Sequence, residues 1–250
     1  MSAAVESLLR LGDNGLILSH RLQEAVGRLP ILEEELASAN VALDLLGQAR
    51  LWLALAGEIE GEGRDADALA FFRDVRAFHN ALLTEQPNGD FAFIVARQFF
   101  FDAWHYQVLR ALSRAADHRV REIASKALKE VAYHVRRSGD WVVRLGDGTE
   151  ESHQRMQTAV NDLWPYVDEL FTDDDVDVAA HAAGVGVLHA PLRAAWDALV
   201  RDTLAAATLT VPPASKWPQR GGKQGRHSEH LGYILADLQY MQRAYPGLAW

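Results

Sequence analysis

ILEEELASANVALDLLGQARLWLALAGEIE, residues 31–60, is the stretch whose reading decides the fold. Its apolar residues recur at helical spacing, and Glu33, Glu34 and Glu35 sit where carboxylates favour the positive end of a helix dipole. This predicts one long helix. Gly27 and Pro30 before it mark a stop and a restart, and Gly61-Glu62-Gly63 after it mark a break. Upstream, Val5, Leu8, Leu9, Leu16, Ile17 and Leu22 predict a partner helix over about 5–26, interrupted only by Gly12 and Gly15.

The same reading extends downstream. A shorter helix is expected between Asp65 and Leu83 on the stripe Leu69, Phe72, Val75 and Phe78. Asp90 reads as the N-cap of a helix reaching about Ala116, and the next runs from about His118 to Leu145. Thr149 starts another that Pro165 disturbs, an acidic turn at Asp173–Asp175 precedes further helices to about Leu209, and Val211–Arg226 reads as a loop. Ser228 is expected to cap a last helix, striped by Leu231, Ile234, Leu235, Leu238 and Met241. No alternating β-branched run occurs, so an all-α fold follows. Two long hairpins with short connections predict a ferritin-like four-helix bundle in a single domain, 1–250. Its core spans about 5–146 and additional C-terminal helices span about 149–250.

Composition narrows the function. The chain has 250 residues, 49% hydrophobic and 24% charged, which is the balance of a globular protein. With no cysteine it offers no disulfide, thiolate nucleophile or iron–sulfur ligand, so any metal must bind through Asp, Glu and His. A net charge of -9 argues against nucleic acid. No apolar run approaches the ~20 residues of a membrane span, and residues 1–9 do not resemble a secretory signal, so a cytoplasmic location is expected.

Ferritin-like bundles commonly hold two irons with one Glu on each of two helices and Glu-x-x-His on each of the other two. Here the second helix carries Asn40, Asp44, Gly47 and Gln48 on one face, with Gly47 where the histidine would stand. Folding back the first helix brings Asp13 or Asn14 level with Asp44. The fourth long helix offers Glu130, then Tyr133 at the third place and His134 at the fourth, and counting back puts Asp102 and His105 at the height of Glu130. The expectation is an inward band of polar side chains that keeps the geometry of a di-iron centre without enough donors to hold one.

At these residues the sequence resembles the ferritin-like accessory subunit family of the bacterial phenylacetyl-CoA epoxidase, PaaC. The resemblance rests on Leu11–Asp13, Asn40–Arg50, Glu85–Phe91, Ala96–Gln98, Lys126–His134, Gly139–Glu151 and Gly221–Gly232, which together span nearly the whole chain. It implies a non-catalytic subunit that binds no cofactor itself and pairs with a homologous catalytic subunit that holds the di-iron centre. It further implies a small subunit and a reductase with FAD, an iron–sulfur cluster and NADPH, acting together as a monooxygenase on phenylacetyl-CoA in phenylacetate degradation. A homodimer is a further possibility for assembly. Exposed apolar stripes are expected on such a subunit, and Trp52, Trp104, Trp141 and Trp164 are either core or interface anchors.

Two alternatives stand beside this. One is a free-standing di-iron oxidase or oxygenase using Asp44, Asp102, Glu130 and His134; the other is a storage shell. The loop Gly221–His227, with Lys223, Arg226 and His227, invites contact with CoA or a partner because glycines expose backbone N–H groups, although it lacks a P-loop ending. His227 and His230 flank Glu229 at a helix start, where ordinary surface roles outweigh a metal cluster.

Overall fold

The computed structural model describes residues 1–248, and among them there is no β-strand. The helices are α1 (Ala3–Ala25), α2 (Leu32–Glu60), α3 (Ala66–Phe71), α4 (Phe91–Leu112), α5 (His118–Gly146), α6 (Glu150–Leu163), α7 (Asp175–Ala182), α8 (Arg193–Ala206) and α9 (Glu229–Ala244). The chain is all-helical, of the ferritin-like bundle class. It divides into two compact units: Met1–Pro87 with the chain from Arg220 onward, and Asn88–Gln219. Residues 149–250 are therefore not one extension, because α9 returns to the unit of α1 and α2.

In the first unit, α1 packs along α2, and the two glycines that break the apolar pattern of α1 explain how closely. A Cβ at Gly12 would stand 2.7 Å from Leu53 Cδ2, and one at Gly15 would stand 3.1 Å from the Leu45 carbonyl. Small residues at those two places let the helices approach within side-chain reach of backbone. The turn between them is tied by Glu35, whose carboxylate accepts the N–H of Gly27 and, at 2.8 Å, that of Leu29.

Chain segment 72–87 departs from the sequence reading. The helix expected to Leu83 stops at Phe71, followed by a short 3-10 turn over Val75–Ala77. Side chains of α1 capture the backbone that a helix would have used: Asp13 accepts the N–H of His79 at 2.9 Å and Asn14 that of Ala81 at 2.8 Å. Local amphipathic pattern loses here to tertiary hydrogen bonding. Phe72 is consequently exposed, while Phe78 is buried.

The second unit holds the α4–α5 hairpin with α6 and α8 packed on it. Asp90 caps α4 as the sequence predicts, accepting the Phe93 N–H at 2.9 Å. Thr149 and Ser152 form a reciprocal capping box on α6. Along α5, Val120, Ala124, Ala127, Val131, His134, Ser138 and Val142 are the buried stripe. Trp196 donates to the Phe100 carbonyl at 3.0 Å and Trp104 to that of Leu170 at 2.9 Å, so both indoles serve the core.

Candidate functional site

Each unit carries one half of the polar band, and each half has its own partners. In the first unit Asp13 is fully buried. Its two oxygens face the guanidinium of Arg73, one of them at 3.0 Å from Nη1, and the same carboxylate takes the His79 N–H. Asn14 donates its amide N–H to the Arg10 carbonyl at 2.8 Å and accepts the Ala81 N–H on its side-chain oxygen. On α2, Gln48 is buried and Asp44 half-buried, whereas Asn40 and Gly47 lie on the exposed side. A Cβ at Gly47 would touch nothing within 4 Å.

The second unit buries Asp102, His105 and His134. Asp102 accepts Gln98 Nε2 at 2.7 Å and Ser138 Oγ at 2.9 Å. Burial pushes its carboxyl up to about 6, against the pull of His134, Ser138, Gln98 and Arg137. His105 is driven down to about 3 by burial and by the neighbouring His134, so it is neutral at physiological pH. Its ring lies 5.1 Å from that of Phe101, and among the described residues its Nδ1 has no hydrogen-bond partner. Glu130 is half-buried beside this stripe. Tyr133 differs from the expectation: it is 44% exposed, because the inward positions of α5 fall at 131, 134 and 138. Asn40, Gly47 and Tyr133 thus leave the inward band for the surface.

The glycine loop is also put to another use. A Cβ at Gly222 would stand 2.1 Å from the Asn80 carbonyl and one at Gly225 2.3 Å from that of Arg76, so these glycines permit backbone to lie on backbone. Gln224, Gly225 and Arg226 spend their N–H groups on Gly221 and Gly222 carbonyls. Lys223 is buried, Arg226 exposed and His230 half-exposed. The His227 ring bridges two acceptors, with Nδ1 2.8 Å from Glu85 Oε2 and Nε2 2.8 Å from the Phe78 carbonyl. Burial opposes a charge there, yet the Glu85 carboxylate, the Phe78 carbonyl and Asp13 hold its pKa above the usual value. Glu85 Oε1 further accepts the Ser228 N–H at 2.7 Å. Ser228 stands at the N-cap of α9, as the sequence reading expects, without a side-chain cap hydrogen bond.

Over residues 1–250 the sequence matches the family described as Phenylacetic acid catabolic protein, PaaA_PaaC. The chain belongs to this family. Among curated proteins it is similar to the C subunit of the 1,2-phenylacetyl-CoA epoxidase of Escherichia coli (strain K12), at 51% identity over 242 residues that cover 97% of each chain. Within this PaaA_PaaC chain, no helix among the described residues is long and apolar enough to cross a membrane.

Asp13 is readable in the sequence as part of the polar band, whereas its partner Arg73, and Glu85 beside His227, are not. Arg73 lies inside a segment that reads as an amphipathic helix, where an arginine is ordinary, and Glu85 beside a turn. Only the folded chain brings each to its partner.

Proposed function

We propose that the chain is the non-catalytic member of a multi-subunit phenylacetyl-CoA epoxidase, pairing with a homologous subunit that holds the di-iron centre. The commitment of its carboxylates carries this reading. Asp13 already neutralises Arg73, and Asp102 already accepts two neutral donors. A di-iron pair needs several ionised, oriented carboxylates and imidazoles. Gly47 supplies no donor and Tyr133 faces outward, so the residues do not fit that group, and no step of oxygen chemistry is assigned to them.

The outer face of α2 supports the pairing. Leu32, Leu36, Leu43, Leu46 and Leu51 are exposed, Leu32 to 69% and Leu43 to 60%, on a helix whose other face is already core. Their 4-7-3-5 spacing keeps them on one side, and uncovered Gly47 among them leaves room for close approach of another helix. The occupant we assign is the catalytic subunit, because the relative is named as one part of an epoxidase and the family description embraces both PaaA and PaaC.

The test is co-expression with a PaaA-type subunit, followed by sizing and metal analysis of the separated components. Stable association, with iron remaining in the partner, supports the reading. Iron-dependent oxygen turnover by this chain alone overturns it.

A further inference from the structure

Away from the polar band, one loop–helix–loop of the second unit gathers metal-ligating chemistry. Asp173 and Asp177 straddle the start of α7, and His189 follows on the loop after it. Among the described residues these three form a group in which one oxygen from each aspartate and one ring nitrogen lie within 4.8 Å of one another. The sequence shows only an acidic turn and a distant histidine, so its pattern does not announce the cluster.

We propose that Asp173, Asp177 and His189 form a site for a single first-row divalent cation of the zinc class. Two acidic side chains alone would carry little, and the histidine is the deciding observation. His189 is 7% exposed, its Nδ1 has no hydrogen-bond partner among the described residues, and its Nε2 stands 3.6 Å from Asp177 Oδ1. That is too long for a hydrogen bond. It is close to the separation of neighbouring ligands around a tetrahedral ion, ~3.4 Å for bonds of about 2.1 Å.

Hydrogen bonds to other parts of the fold hold both aspartates, and ring stacking holds the histidine. Asp173 accepts the N–H groups of His189 at 2.7 Å and Ala190 at 3.1 Å, which ties its own side chain to the backbone of the third ligand. Asp177 is the third residue of α7 and closes a capping box with Asp174. The His189 ring stacks on Trp104, 5.6 Å between centroids and 23° from parallel, so it cannot swing freely. Two carboxylates and one imidazole suit zinc, cobalt or manganese better than magnesium or calcium, which favour all-oxygen shells. With three protein donors, the remaining position falls to water. The ion would pin the loop carrying His189 to α7, a structural role independent of the pairing proposed above.

Cobalt(II) is a direct probe because its visible bands report coordination. Metal-stripped full-length protein titrated with Co2+ is expected to develop bands of a four- or five-coordinate ion that saturate at one equivalent. Asp177→Asn and His189→Gln should each weaken binding at least tenfold, and His230→Gln should not. Bands untouched by both substitutions, or no binding by the wild type, overturn the site. Should both variants misfold, zinc-soaked crystals of the unaltered chain decide: an anomalous peak within bonding distance of His189 Nε2 and Asp177 upholds it, and its absence there overturns it.

Discussion

Arg73 lies carboxylate-to-guanidinium with Asp13 in the interior of the first unit, and the same aspartate holds the His79 backbone. The side-chain exposures are 4% and 0%, so the two charges answer each other with little help from water. Removing one partner of such a pair strands the other. Arg73→Ala should therefore cost about 3–5 kcal/mol of unfolding free energy in urea titration. Asp13→Asn with Arg73→Met together should cost clearly less than the single change. Equal losses from the single and double variants would contradict the cost assigned to the stranded charge.

Asp102 and His105 titrate in opposition. A carboxyl raised from 3.8 to about 6 stabilises the fold fully below 3.8, and that contribution is lost as pH rises through 6. An imidazole lowered from 6.5 to about 3 stabilises the fold above 6.5, and that contribution is lost as pH falls toward 3. Between about pH 6 and 4 the two nearly cancel. Asp102→Asn should then raise stability near pH 8, by up to ~3 kcal/mol from the burial cost it relieves, and leave a stability that falls as pH drops below 6.5. Ser138 can accommodate the change by accepting from the new amide while still donating to the His134 carbonyl. Thermal unfolding from pH 4 to 8 checks it, and an unchanged pH profile would refute the cancellation.

His227 and Glu85 join the start of α9 to the segment before α4 within the first unit. Since the folded chain holds His227 above its ordinary 6.5, the contribution is complete below that value and fades as pH rises through the higher one. Hydrogen exchange of α9 should accelerate from pH 7 to 9 beyond the intrinsic chemical rate. Glu85→Gln should abolish that extra dependence and raise the exchange already at pH 7.

Leu43 tests the outer face of α2. Leu43→Glu should weaken association with a PaaA-type subunit at least tenfold while shifting the isolated chain's stability by no more than about 0.5 kcal/mol. A sizing column and a thermal melt read both. Undiminished association would move the interface off α2.

Much of the fold was legible because helix ends carry local chemistry. Asp90, Thr149 and the Gly61 break are each readable within a turn, and α1, α2, α4 and α5 end within a few residues of where the sequence puts them. Segment 72–87 was not legible, since Asp13 and Asn14 hold its backbone from more than sixty residues away. The return of α9 to the first unit likewise depends on Gln239 donating to the Ala70 and Arg73 carbonyls, at 2.9 and 3.0 Å. For the candidate site, residue identity was readable and direction was not. Tyr133 and Gly47 fall three residues from an acidic partner as the motif requires, yet both face outward once packing selects 131, 134 and 138 on α5 and 45, 48 and 49 on α2.

The most direct test of the account is anaerobic ferrous loading of the purified chain, followed by Mössbauer spectroscopy after exposure to oxygen. With its carboxylates committed to Arg73, Gln98 and Ser138, the chain should show no spin-coupled iron pair, while a PaaA-type subunit treated alongside shows one. A coupled di-iron spectrum from this chain alone, lost on Asp102→Asn or His134→Gln, would contradict it.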